Sequence, residues 1–405
     1  MLKIGNTDIN KGYIGNQEVN KAYLGSNIVL ETSVFTSTWQ TTSPNETITL
    51  PTTSNYIVNW GDGTVTNNTN SHEYLSVGQY TIKINGGDVI DFAFNNLGDK
   101  DKIYNVSVFG KLQLIPSTFR GCSNLDITAT DVPLINNDSI FEVFRNCINL
   151  VYNSSINSLD VSNIKNASFL FIDSVLFNQD ISGWNTSSFE DISFMFTRCI
   201  FNKSINNWDF SSVLDCESIF LNNTSYNQEI NWNTSNCEIF SAFLYGATGY
   251  NKPVTLDTSS ALSLSRFLFI NTTFNENLIF SDTSNVENFS ECFRRAREFN
   301  KPLDWDTSSA INMSGMFREA RDFNQSLNGF DFSNVTNMSN FMLTKTNYDI
   351  NYMDDLYIKL DQELIFSNMV NINISFGTIP YSINGAAART SLINKGFIIQ
   401  SGIQI

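Results

Sequence analysis

Apolar and polar positions recur together along residues 160–349 with a period of 24 to 25. Each unit opens with Asp or Asn, any residue, then Ser: Asp160/Ser162, Asn185/Ser187, Asp209/Ser211, Asn233/Ser235, Asp257/Ser259, Asp282/Ser284, Asp306/Ser308 and Asp331/Ser333. Seven residues later stand Ala167, Ile192, Cys216, Phe240, Leu264, Phe289, Met313 and Met338. Eleven residues after the opening residue stand Phe171, Phe196, Phe220, Leu244, Leu268, Phe293, Phe317 and Met342. An aromatic followed by Asn or Asp closes each unit, at Phe177, Phe201, Tyr226, Tyr250, Phe274, Phe299, Phe323 and Tyr348. A single unit of this length cannot bury its own apolar face, whereas stacked copies can. The pattern therefore predicts a solenoid in which each apolar position forms a buried column along one continuous parallel ladder.

Two other patterns precede it. Residues 2–31 repeat with a period of ten, aligning Ile4/Ile14/Leu24, Gly5/Gly15/Gly25 and Ile9/Val19/Val29. Each decapeptide reads as strand, tight turn, strand. Such a ribbon is too thin for its own core and is expected to need a partner surface. Residues 34–87 read as a compact β-sandwich, with strands at 56–60 and 80–84 and an Asp-Gly turn at 61–64. After residue 348 the Asp-x-Ser signature is lost. Residues 385–395 read as a short helix stopped by Gly396, and 397–399 as a strand, together capping an open solenoid end. Two looser units, around FRGC at Cys122 and FRNC at Cys147, lead into the regular eight.

These strings carry three resemblances. The IGN-x-x-I/V decapeptides resemble the N-termini of tail-fibre and other tail-associated proteins of phages that infect gut bacteria. The WGDGT…H-x-Y…G-x-YTI-x-I pattern resembles PKD-like domains, which are immunoglobulin-like adhesion and spacer modules. The strings LFNQDISGWNTSSFEDISFMF, FNKPLDWDTSSAINMSGMF and FNQSLNGFDFSNVTNMSNFM resemble the BspA-type leucine-rich repeat of bacterial surface proteins, over residues 106–343. The expected fold is mainly β: a ribbon over 1–31, a PKD-like sandwich over 32–90, a leucine-rich-repeat solenoid over 91–347 and a cap over 348–405. Bacterial members of that family carry a secretion signal or lipid anchor. Here the phage-like ribbon stands in its place, which moves the expected home to a virion.

Charge narrows the partners. Net charge is −16, from 24 basic and 40 acidic residues, which argues against nucleic acid. Only 16% of residues are charged and Asn, Ser and Thr are abundant, a surface suited to neutral glycans or a protein face. The start, MLKIGNTDINKGYIGNQ, lacks the apolar region of a signal peptide, and no run is long enough to span a bilayer. Synthesis in the host cytoplasm without membrane insertion is expected.

Six cysteines occur without a CxxC, and His72 is the single histidine, so a Cys/His zinc site is not expected. Cys122 and Cys147 occupy matching positions and read either as buried thiols or as a disulfide. His72 reads as a structural residue. The Asp/Asn column reads as a series of turns accepting backbone N–H bonds, with a calcium column as the alternative. Trp184, Trp208, Trp232 and Trp305 each precede the opening Asp/Asn; they form either a sugar-stacking strip or a roof over the apolar interior. Arg294 aligns with Arg318 and Arg297 with Arg321, among Glu298, Glu319 and Asp322. That cluster reads as exposed ion pairs, or as a receptor for an anionic group or protein.

No catalytic constellation or cofactor motif is present, so a non-enzymatic protein without cofactor or metal is expected. The expected function is a phage virion protein, a tail-fibre or appendage subunit. Residues 1–31 would dock on other virion proteins, and the solenoid, multimeric in the particle, would adhere to a host surface glycan or protein. A bacterial adhesin lacking its signal and a polysaccharide depolymerase are the alternatives.

Overall fold

The computed structural model describes residues 34–52, 56–86, 90–151, 154–364, 368 and 373–405, and the backbone of six short strands between residues 2 and 31. Short strands and turns predominate over helix. The chain divides into two compact units: Met1–Val161 with Asp173–Trp184, and Ser162–Ile172 with Asn185–Ile405.

In the first unit each decapeptide forms one antiparallel pair. These are β1 (Leu2–Ile4) with β2 (Thr7–Ile9), β3 (Gly12–Ile14) with β4 (Gln17–Val19), and β5 (Lys21–Leu24) with β6 (Asn27–Glu31). The turn glycines Gly5, Gly15 and Gly25, and the apolar side chains of the ribbon, lie outside the described residues.

Ten strands follow: β7 (Phe35–Thr41), β8 (Glu46–Thr49), β9 (Tyr56–Asn59), β10 (Val65–Asn67), β11 (Ser71–Tyr74), β12 (Gly78–Gly86), β13 (Ile90–Asp91), β14 (Ile103–Val108), β15 (Leu112–Gln113) and β16 (Asp126–Ile127). Six of them form one sheet in the order β10-β9-β12-β7-β14-β16, and β8 pairs with β11. Alternation along β7 turns Phe35, Ser37, Trp39 and Thr41 inward. The buried Ser37 hydroxyl accepts the Trp39 indole N–H at 2.8 Å. The boundary expected at residue 90 is not a break in this sheet. β7 is antiparallel to β12 on one side and to β14 on the other, and β14 is parallel to β16. Without β14, β7 would be an open edge with unpaired backbone groups. A single helical turn, α1 (Ser154–Asn157), lies near the end of this unit.

In the second unit the repeats lie side by side in parallel. Three carry true strands, β17 (Ile230–Trp232), β18 (Val254–Leu256) and β19 (Leu278–Phe280). A second line of contact runs through single-residue parallel bridges, Asn166 to Asp191, Asp215, Ile239, Ser263, Asn288, Asn312 and Asn337 in turn. The expected uninterrupted strand ladder fails there for a conformational reason. Nine and thirteen residues after the opening Asp/Asn the backbone is left-handed, as at Phe194/Arg198, Ser218/Asn222, Arg266/Ile270 and Glu291/Arg295, with φ between 54° and 62°. A strand cannot pass through such residues. The backbone still pairs. Phe194, Phe196 and Arg198 donate to the carbonyls of Glu217, Ile219 and Leu221 at 2.8, 3.0 and 2.9 Å, and the same alternate-residue scheme recurs in later repeats.

The apolar columns are present. Phe171, Phe196, Phe220, Phe293 and Phe317 are fully buried. Ring centroids one repeat apart are 6.1 Å for Phe171–Phe196, 5.9 Å for Phe196–Phe220 and 5.3 Å for Phe293–Phe317. Leu244 and Leu268 fill the intervening places. A second column runs through Phe201, Tyr226, Tyr250, Phe274, Phe299, Phe323 and Tyr348 at 5.9–6.5 Å.

The unit ends with α2 (Ile350–Glu363), β20 (Asn373–Ser375), α3 (Ile383–Asn394) and β21 (Ile398–Gln400), with β20 and β21 parallel. The repeat pattern does not predict α2. Asp349 caps it by accepting the Asn351 N–H, and Met353, Leu356, Tyr357 and Leu360 form its buried face. The expected C-terminal helix begins slightly earlier than anticipated, capped by Ser382. The Met342 N–H donates to the Ser375 carbonyl at 2.8 Å, so β20 takes the place of a further repeat.

Candidate functional site

Three polar rows hold the repeats in a constant frame. In the first, the opening Asp or Asn accepts the N–H of the serine two residues on, at 2.8–3.4 Å, from Asn185/Ser187 to Asp331/Ser333. This is the turn chemistry expected of the Asp-x-Ser signature. Hydrogen bonds from their serines hold Asp209 and Asp306 below the usual carboxylate range. Among the described residues no group of three or more His, Cys, Asp or Glu converges as a metal site. The second row repeats the same turn six residues on, where Asp191, Asp215, Asn288, Asn312 and Asn337 accept the N–H two residues ahead. The third row is the asparagine after each closing aromatic. Asn202, Asn227, Asn251, Asn275, Asn300 and Asn324 each accept the N–H of the equivalent residue in the next repeat, at 2.6–3.1 Å. A buried threonine row adds to these. The hydroxyls of Thr186, Thr234, Thr283 and Thr307 donate to the carbonyls of Asp209, Asp257, Asp306 and Asp331.

The tryptophans belong to the interior. Trp184, Trp208, Trp232 and Trp305 are only 3–5% exposed. The Trp184 indole donates to the Ile156 carbonyl at 3.0 Å, and that of Trp232 to Asn206 Oδ1 at 2.9 Å. Trp208 packs edge-on to Phe189, and Trp305 stacks on Phe280 at 5.3 Å. The sugar-stacking strip is therefore corrected to the alternative, a roof over the core. Strand alternation explains it at Trp232, which points inward with Ile230. Trp305 does line one wall of a depression of about 790 Å³ with Asp304, Asp306, Asp331, Gln325 and Tyr352. Its indole N–H has no partner among the described residues.

The arginines divide. Arg297 and Arg321 are exposed and make no ion pair among the described residues. Arg294 and Arg318 join Arg266 and Arg295 around two glutamates. Glu291 takes Arg266 at 2.8 Å and a short contact from Arg294, whose guanidinium also lies 4.8 Å over the Phe269 ring. Glu319 takes Arg295 at 2.8 Å and Arg318 at a looser 3.5 Å. The Arg295 hydrogen bond holds Glu319 below its usual range. Burial raises Glu291, but hydrogen bonds from Arg266 and Arg294 outweigh it and hold that carboxyl low as well. Next to this network lies a pocket of about 320 Å³, lined by Arg266, Glu291, Arg318, Asn340 and the serines of the second row's turns. Arg266, Arg295, Glu291 and these serines were not singled out in the sequence. Arg266 and Glu291 occupy one row and Arg295 and Glu319 another, a pairing the repeat register could have shown.

In the first unit His72 Nε2 lies 2.7 Å from Asp62 Oδ2, and its ring stacks on Trp60 at 5.1 Å. The Tyr74 hydroxyl donates to the Trp60 carbonyl at 2.8 Å. The histidine is a packed structural residue, as expected. Cys122 and Cys147 are free and buried, and burial pushes both thiols up.

No curated protein and no solved structure matches the chain. A family model described as "Mycoplasma protein of unknown function, DUF285" matches residues 138–256, 197–278 and 254–355, together more than half of the sequence. The chain belongs to that family.

Proposed function

We propose that the protein is a phage virion component, a tail-fibre or appendage subunit that displays a leucine-rich-repeat solenoid of the BspA type for adhesion to a host surface. In this reading residues 1–31 dock on other virion proteins, the module over residues 32–90 is a PKD-like spacer, and the repeats face outward. One observation carries the adhesion reading. The rows that fix the backbone are nearly constant, while a row that reaches the surface in five of its eight copies, and is buried at Ser218, Ala242 and Gly315, changes freely. Nine residues after the opening Asp/Asn stand Phe169, Phe194, Ser218, Ala242, Arg266, Glu291, Gly315 and Asn340, all with the same left-handed backbone. A frame that holds its geometry while one face varies suits display for recognition. The aspartates of the two turn rows, from Asp191 to Asp331, have an oxygen bonded to backbone and recur from repeat to repeat, a poor arrangement for a unique acid–base pair, so adhesion is favoured over sugar cleavage.

Mass-spectrometric analysis of purified virions tests the location. The chain is expected among the structural proteins. Its absence from particles, with presence in the envelope of uninfected bacteria, would move the reading to a bacterial adhesin.

A further inference from the structure

Six of the ten arginines of this acidic chain fall between residues 266 and 321. Four of them, Arg266, Arg294, Arg295 and Arg318, share two carboxylates, Glu291 and Glu319. Positive charge is therefore in local excess. The deficit falls on Arg318. Glu319 is engaged by Arg295 at 2.8 Å, and Arg318 makes only a loose ion pair, its buried Nε lying 3.5 Å from Glu319 Oε1 with no closer hydrogen bond. This guanidinium borders the pocket of about 320 Å³.

Gly315 makes the space. It occupies the row held by Arg266, Glu291 and Asn340, and its missing side chain opens a gap between those of Glu291 and Asn340. The walls of that gap hold unused hydrogen-bonding groups. The hydroxyls of Ser290, Ser314 and Ser339 recur one repeat apart, and none bonds to protein among the described residues. The contrast lies upstream, where Ser241, Ser263 and Ser265 in the same region bond to one another at 2.8–3.3 Å.

We infer that this pocket binds a carboxylate-bearing sugar, with Arg318 receiving the carboxylate and the serine and asparagine side chains receiving ring hydroxyls. A guanidinium fork matches a carboxylate in shape and charge. A row of hydroxyls and amides supplies both donors and acceptors, as a sugar ring requires. The net charge of the chain had suggested neutral glycans; the local charge at this pocket selects an acidic residue within a glycan.

The inference rests on the adhesion reading and deepens it. The test titrates the full chain with 3′-sialyllactose, trigalacturonate and lactose, followed by NMR or calorimetry. At least one acidic sugar is expected to bind about ten-fold or more tightly than lactose, the scale of one charged hydrogen-bonding contact. Which acidic sugar binds distinguishes a sialylated from a uronate-containing source. Arg318→Gln is expected to remove that preference without altering the melting curve. Gly315→Asn, which the backbone tolerates at Asn340, is expected to fill the pocket and weaken binding of the acidic sugar. Equal binding of lactose, no binding of either acidic sugar at millimolar concentration, or an unchanged Arg318→Gln variant would overturn the inference. If R318Q adheres to host cells as well as the parent chain, the pocket is wrong and adhesion stands; if the parent chain fails to adhere, adhesion itself is wrong.

Discussion

The side-chain oxygen of Asn300 accepts the backbone N–H of Asn324, one repeat further along, at 2.8 Å, while the N–H of Asn300 is accepted by Asn275 at 3.0 Å. Each asparagine of this row closes the backbone of its neighbour, and the row ends on Asp349, the cap of α2. Asn300 Oδ1 also accepts from Gln325 Nε2 at 2.9 Å. Asn300→Ala should therefore leave the Asn324 N–H without its acceptor, while Gln325 keeps the Asn300 carbonyl at 3.2 Å, and cost about 1–3 kcal/mol. Urea unfolding followed by circular dichroism measures it. A change below about 0.5 kcal/mol, the range of an inert surface substitution, would show that the row carries no weight.

Phe220 lies between Phe196 at 5.9 Å and Tyr226 at 3.8 Å. Phe220→Ala should cost about 3–5 kcal/mol, the range for a buried aromatic that leaves a cavity. An unchanged melting curve would contradict its place in the buried column.

Asp215 gives a pH signature. Burial, together with the charges of Asp191 and Glu217, raises its carboxyl to about 6, against the lowering effect of the Glu217 N–H. The folded chain therefore holds this proton more tightly than the unfolded chain does. Its contribution to stability should fall as pH rises from the ordinary aspartate value to about 6, then level off. Asparagine occupies the same row at Asn288 and Asn312, where it accepts the equivalent N–H. Asp215→Asn should thus keep the turn, remove that fall and raise stability at pH 7 by about 1–2 kcal/mol, allowing for partial exposure. Melting curves at pH 4, 5, 6 and 7 decide it; a destabilised variant at pH 7 would contradict the assignment.

The ribbon is expected to act in assembly. Deleting residues 1–31 should leave the unfolding transition of the second unit unchanged and abolish incorporation into the particle. Normal incorporation of the shortened chain would refute a docking role.

Much of this architecture was legible because the repeat is written in side chains. The columns at Phe196 and Phe220, and the turn at Asp209/Ser211, follow from register alone. The left-handed backbone was not legible, since Phe194, Ala242 and Arg266 are residues that ordinarily avoid it. Only comparison across repeats, where Gly315 and Asn340 share the row, carries a hint of it. The extension of the sheet through β14 was missed because Ile103–Val108 buries Ile103 and Val106, three residues apart, and so lacks a period of two. At the candidate site, the arginine cluster was visible as composition. Its pairing with Glu291 and the gap at Gly315 depend on which rows face each other, and spacing left both readings of the tryptophans open because it does not show which side of the repeat they face.

Adhesion without cleavage is tested most directly by placing the full chain, multimerised on beads, on host cells and measuring bound beads together with released reducing sugar. Binding strengthened by copy number, with no sugar released above control, is the predicted result. Catalytic release of sugar would transfer the protein to the depolymerases. Failure of the multimerised chain to bind host cells at all would contradict host adhesion and leave a role within the particle.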